Sequence, residues 1–184
     1  MLVRQLSSDE APPLAQRFYG GGDPGPIAAT MAHVPELLDV ALPFIGQALA
    51  PSSIPFRTKE IVILRTSALL ACRYCIDSHT PVALDSGLTH EQVKALRNEP
   101  GPTIEAAFPD APDRAVITWV DAVALGHGSL PESVNETART HFQEHEIVEL
   151  TVTTTVTMLL NRYATSLQLP VGASTLARLA REGF

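Results

Sequence analysis

Residues 151–160 read "TVTTTVTMLL", and the fold class turns on whether this run is a strand or a helix. β-Propensity alone makes it a strand. The apolar positions around it say otherwise: Val148, Val152, Val156, Leu159 and Tyr163 step by four, four, three and four, the spacing of one helix face. No other segment shows a two-residue alternation bounded by turns. The expectation is therefore an all-α protein with no significant sheet.

Working outward from that run, helices follow one another along the chain. Leu37, Leu38, Ala41, Phe44, Ile45 and Leu49 recur at helical spacing over Pro35–Ala50, with Pro43 as a kink. "APSSIPF" (50–56) punctuates, and Ser53 with Pro55 suits a helix entry. "RTKEIVILRTSALLA" (57–71) is apolar on nearly every side, which predicts a buried helix. A helix over 73–86 should end near Gly87, and "THEQ" (89–92) has the form of a capping box for a short helix to Leu96. A Pro-rich connection spans 98–113, and Arg114–Leu125 is helical up to Gly126 and Gly128. "SLPE" (129–132) predicts a second capping box, with a helix to about Phe142. The first 30 residues, broken by "GGGDPGP" (20–26), predict an irregular arm.

The chain has 184 residues, enough for one domain that buries roughly 70% of its unfolded surface. A hydrophobic share of 45% against 18% charged residues is a globular balance. A net charge of −7 argues against nucleic acid or an anionic membrane surface as partner, since both need clustered Lys and Arg. No apolar run has the length of a membrane span, and the first 20 residues lack the apolar core of a secretion signal. The expectation is a cytoplasmic protein, in which thiols stay reduced and two cysteines are poor candidates for a permanent staple.

The two halves resemble each other. "KEIVILRTSALLACRYC" from Lys59 aligns with "HEIVELTVTTTVTMLLN" from His145, pairing Glu60 with Glu146 and Leu64 with Leu150 at an offset of 86 residues. This predicts an internal two-fold repeat, one half over about 31–97 and a degenerate second half over about 113–170. In the second copy Cys72, Cys75 and His79 are replaced by Met158, Asn161 and Thr165, so the scaffold occurs twice and the chemistry once.

That chemistry is concentrated in "ACRYCIDSH" (71–79), which holds both cysteines of the chain. On a helix, residues three and four apart share a face, so Cys72 lies within reach of Cys75 and Cys75 within one turn of His79. A thiol attacks only as thiolate, and an imidazole or the free amides of a helix start supply what ionises it. Cys72 can then resolve a sulfenic acid formed on Cys75. Glu60 is a carboxylate amid "IVIL", costly unless it has a partner or is simply an exposed helix-start carboxylate stabilised by the dipole. A straight helix would hold it about 28 Å from His79. If the two interact, the chain must break near Ala71–Cys72, which places the cysteine pair at a helix N-terminus and makes Glu60 the residue that orients His79.

Glu60, eleven intervening residues, "CRYC" and His79 together resemble the E-x(11)-C-x-x-C-x-x-x-H signature of the alkylhydroperoxidase D branch of the carboxymuconolactone decarboxylase superfamily. "AHVPELL" (32–38), "KEIVIL" (59–64) and "HFQEHEIVEL" (141–150) are similar to it as well, and the likeness covers about residues 27–171. The resemblance implies an all-helical homo-oligomer (dimer, trimer or hexamer) whose thiols reduce hydroperoxides and are regenerated by a dithiol reductant or adaptor protein. It implies Cys75 as peroxidatic residue, Cys72 as resolving residue, Glu60 and His79 as proton relay, and no metal or organic cofactor. Tyr74 stands where the best-known peroxidases of the branch have histidine, which removes one relay member and leaves Tyr74 as an auxiliary proton donor or a packing residue.

Other readings of the same residues stay open. Cys72 and Cys75 could be two small buried hydrophobes. Cys72, Cys75, His79 and Glu60 could ligate zinc in a non-catalytic or redox-sensing oligomer. A decarboxylase-like lyase is a third option, although decarboxylases of the superfamily lack the cysteine pair. Asp77 and Ser78 read as first-turn helix residues and Trp119 as core. His33, His90, His127, His141 and His145 have no partnered spacing, and Arg65 falls off the Glu60 face.

Overall fold

The computed structural model describes residues 1–184 and contains helices only. After a 3-10 turn at Pro13–Tyr19 come α1 (Gly25–Met31), α2 (Pro35–Leu49), α3 (Phe56–Leu69), α4 (Arg73–Asp85) and α5 (His90–Leu96). Then follow α6 (Ile104–Ala107), α7 (Ala111–Leu125), α8 (Glu132–His141), α9 (Glu144–Leu167) and α10 (Ala173–Glu182). No helix is long and apolar enough to cross a membrane.

α3 is the axis of the fold, packed against α4, α7 and α9. Its residues Ile61, Val62, Ile63 and Leu64 are all buried. A helix enclosed on every side needs an apolar sequence on every side, as 57–71 has. The main core gathers Ile61, Val62 and Leu64 with Leu96, Phe108, Val116, Val120 and Leu150.

α9 runs unbroken through the ambiguous "TVTTTVTMLL" segment, so tertiary packing overrides propensity. The face it buries differs in part from the predicted stripe: Val156 is buried, but Val148 and Leu159 are exposed, and Thr153, Thr154 and Thr157 are buried in addition. Each of these threonines returns its hydroxyl to the carbonyl four residues back, at 2.8, 2.8 and 2.7 Å, and so carries no unpaired donor into the core.

Three other expectations need correction. The first 30 residues are irregular only in part: the 3-10 turn and α1 build a satellite core from Leu6, Ala15, Tyr19, Ala28 and Met31 against Leu38 of α2. Small alanines allow this close approach, and the Tyr19 hydroxyl donates to the Leu6 carbonyl at 3.0 Å. Ser129 forms no capping box, because α8 starts only after Pro131, and the Glu132 carboxylate pairs with Arg139 at 2.7 Å instead. The 98–113 connection contains α6, and α7 begins three residues before Arg114, with Pro112 in its first turn. The Thr89–Gln92 capping box forms as its sequence predicts.

Candidate active site

The site is made by the junction of α3 and α4. Ala71 adopts a left-handed conformation (φ 53°), costly for a residue with a Cβ. The Ala71 and Cys72 amides turn back onto the Ala68 and Ser67 carbonyls at 3.1 and 2.9 Å, a Schellman closure of α3. The chain reverses there, and Cys72 becomes the N-cap of α4. α4 therefore runs back along α3 and carries the residues that follow Cys72 toward the start of α3.

This reversal brings Glu60 and His79 into contact, 19 positions apart in sequence. His79 Nδ1 lies 3.0 Å from Glu60 Oε2 and 3.3 Å from Oε1. The carboxylate is 1% exposed and the imidazole 27%, so the ring spans the distance from a buried anion to the surface. A carboxylate on Nδ1 fixes the ring's orientation and tautomer and frees Nε2 to exchange a proton.

Cys72 and Cys75 are free thiols with their sulfurs 2.9 Å apart, within hydrogen-bond reach of each other. Cys72 is fully enclosed and Cys75 is 5% exposed. They pack with Ala164 and Leu169, and Ile27, Tyr74 and Tyr163 line the same cluster. The pair shares charge unequally. The Cys75 thiol, aided by the Cys75 backbone amide, Thr165 and Asn161, lowers Cys72 from an ordinary 9.0 to about 6 against the opposing effect of burial. Cys75 is raised, because it gives its hydrogen to Cys72 and is itself buried. The reduced pair thus holds one negative charge, on Cys72, and one proton, on Cys75, near neutral pH.

Tyr74 is half-buried beside the thiols, and its hydroxyl is raised by burial and by the neighbouring Cys75. Asp77 is no solvated first-turn residue: it is buried, bound by Arg73 at 2.7 Å and faced by Arg97 at 3.7 Å. Arg65 pairs with Asp121 at 2.6 Å on the far side from Glu60. Trp119 is buried, as its sequence context predicts. Glu60 pairs with His79 and the thiols pair with each other, and no three His, Cys, Asp or Glu side chains converge as a metal site. Three cavities, two of about 520 Å³ and one of about 250 Å³, are lined by neither Cys72 nor Cys75.

Two features are absent from the sequence reading. Lys59 is buried and reaches Glu149 at 2.6 Å, Thr153 at 2.9 Å and the Ala48 carbonyl at 2.9 Å, joining α2, α3 and α9. A lysine inside an apolar run was its signal. Asn161 also favours ionisation of both thiols, Thr165 that of Cys72 and Ser67 that of Cys75, and the repeat alignment had set Asn161 opposite Cys75 and Thr165 opposite His79.

Comparison with known proteins agrees with this architecture. The fold matches the alkylhydroperoxidase AhpD core, an uncharacterized peroxidase-related protein from Ralstonia eutropha JMP134, with a TM-score of 0.80 at 16% identity over 95% of this chain and 93% of that one. It also matches the debrominase Bmp8, with a TM-score of 0.77 at 21% identity over 98% of this chain and 97% of that one. The uncharacterized protein YdfG of Bacillus subtilis (strain 168) is 27% identical over 100 residues, 54% of this chain, and the match spans 65% of that relative's length. The sequence profile of the carboxymuconolactone decarboxylase family matches residues 35–127, a segment that contains Glu60, Cys72, Cys75 and His79. On that match and the shared helical architecture, the chain belongs to the carboxymuconolactone decarboxylase family.

Proposed function

We propose that the protein is a thiol-dependent peroxidase that reduces hydroperoxides through Cys75 and Cys72, with Glu60 and His79 as its proton relay. The observation that carries this reading is a reduced dithiol at a helix N-cap, one sulfur already anionic, on the same helix as an imidazole held by a buried carboxylate. The slight exposure of Cys75, against none for Cys72, supports Cys75 as the attacking sulfur. His79, oriented by Glu60, takes the Cys75 proton. The thiolate then attacks the terminal peroxide oxygen, the O–O bond breaks, and the alkoxide leaves as alcohol with that proton. Cys75 is now a sulfenic acid; the Cys72 thiolate attacks its sulfur, the S–O bond breaks, the hydroxide takes up a proton from solvent and leaves as water, and a disulfide forms. An external dithiol or dithiol adaptor protein reopens it by exchange. Hydroperoxide and two thiols thus yield alcohol, water and disulfide, with no metal or nucleotide.

In this reading the protein works in the reducing cytoplasm as a homo-oligomer. The exposed Leu37, Val40 and Phe44 of α2, with Val148 and Leu159 of α9, supply apolar surface for subunit contact. The two halves descend from one duplicated unit, of which only the first kept the thiols. A second substrate class has support of its own. The fold is shared with Bmp8, whose cysteine-to-alanine variant was crystallised with 2,3,4-tribromopyrrole. The Ile27, Tyr74 and Tyr163 surroundings of the sulfurs here suit a planar organobromide. The deciding assay measures loss of an alkyl hydroperoxide and of a bromopyrrole in parallel, with a dithiol as reductant. Peroxide turnover that disappears in Cys75→Ser supports the peroxidase. Bromide release without peroxide turnover replaces it.

A further inference from the structure

Asn161 is the polar residue of the second half that the cycle above leaves unused. It is 1% exposed, and its Nδ2 donates to Ser67 Oγ at 3.0 Å. The Ser67 carbonyl in turn receives the Cys72 amide at 2.9 Å. Ala164, three residues further along α9, belongs to the buried cluster that holds both cysteines. Asn161 is therefore held by Ser67 at the α3–α9 contact, next to the cluster that contains the dithiol. Its carbonyl oxygen, Oδ1, is buried with no hydrogen-bond partner, an arrangement a folded protein keeps only for a reason.

We infer that Asn161 ligates the reacting sulfurs: its amide N–H donates to the anionic sulfur of the pair, and its unpartnered Oδ1 accepts the hydroxyl proton of the Cys75 sulfenic acid. The inference rests on the proposed thiol chemistry and adds a residue to it. An amide suits both duties, since it offers a donor to the thiolate and an acceptor to the O–H that appears only after oxidation. It acts on Cys72 and Cys75 alike, in each case favouring the thiolate. The duplicated scaffold explains its position: the second half lost the cysteine at this register and placed there a side chain that serves the first half's cysteines.

The test compares Asn161→Val with Asn161→Thr, which have nearly the same shape and differ in one hydroxyl. Thiolate absorbance of the reduced proteins is titrated against pH, a readout that needs no peroxide. The midpoint should rise by about one pH unit in Asn161→Val, a tenfold loss of thiolate below it, and recover in part in Asn161→Thr. In a Cys72→Ser background, where Cys75 sulfenic acid persists, Asn161→Val should also shorten its lifetime several-fold. Equal midpoints in wild type and both variants overturn the inference. If neither variant folds, Ser67→Ala removes the partner that fixes Asn161. A raised midpoint there supports the inference and an unchanged one overturns it. Failure of the peroxidase reading shows instead as absent peroxide turnover with these midpoint shifts intact.

Discussion

The division of charge within the dithiol is the most exposed consequence of the structure. Cys72 lies at about 6 chiefly because the Cys75 thiol donates to it. At pH 7 a thiol with that value is about 90% ionised, against about 1% for one at the ordinary 9.0. Cys75→Ala deletes the donor and leaves burial acting on Cys72, so the midpoint should return toward 9.0. The thiolate present at pH 7 should then fall by at least about tenfold. Ultraviolet absorbance of the thiolate, followed across pH in the fully reduced protein, reads this directly. Wild type should show one thiolate per chain with a midpoint near 6, and the second thiol should ionise only at strongly alkaline pH or not at all. The same lowered value stabilises the reduced fold. That contribution is complete above the ordinary thiol range and is lost as pH falls through about 6. A wild-type midpoint between about 8 and 9, or a Cys75→Ala midpoint still near 6, would refute the reasoning.

Three other perturbations follow from the geometry. Glu60→Gln keeps the shape and a hydrogen-bond partner for His79 Nδ1 but removes the buried charge. Thermal melting should change little, while the rate of sulfenic acid formation should fall by about 10²-fold, the usual scale of acid–base assistance. Burial pushes the Glu149 carboxyl up, but Lys59, Ser52 and Ser53 overcome it and hold the group at about 2. Because that value lies below the ordinary 4.5, the stabilisation is complete above about pH 4.5 and is lost as pH falls through about 2. Glu149→Gln should flatten the acid limb of denaturant unfolding by up to about 3 kcal/mol, whereas a limb of unchanged slope would argue against the Lys59–Glu149 pair. Ala71→Gly relieves a left-handed residue and should raise stability by about 1 kcal/mol without changing the thiolate midpoint, and a loss of stability would contradict the Schellman closure.

The sequence revealed the site more clearly than the packing around it. A carboxylate in an apolar run is costly without a partner, and the only geometry that offered His79 was a break near Ala71; the left-handed Ala71 and the 3.0 Å contact are that geometry. Spacing could also decide for helix at 151–160. It could not say which face is buried, because threonines that return their hydroxyls to the backbone pack like hydrophobes while Val148 and Leu159 face outward. The order of the N-terminal arm was hidden for a related reason: Pro and Gly broke its periodicity, while alanines packed it against α2. α10 was not anticipated, its pattern lying past the region of resemblance. Asn161 was visible only as the replacement of a cysteine, and the contact between halves that gives it meaning is three-dimensional.

The most direct test of the proposed peroxidase role of the dithiol is mass spectrometry of reduced Cys72→Ser after one equivalent of an alkyl hydroperoxide, with a sulfenic acid trap present. A single adduct on Cys75, alongside rapid conversion of wild type to the Cys72–Cys75 disulfide, is the predicted result. An untouched Cys75, with wild type no more reactive toward peroxide than a free dithiol in solution, would contradict it.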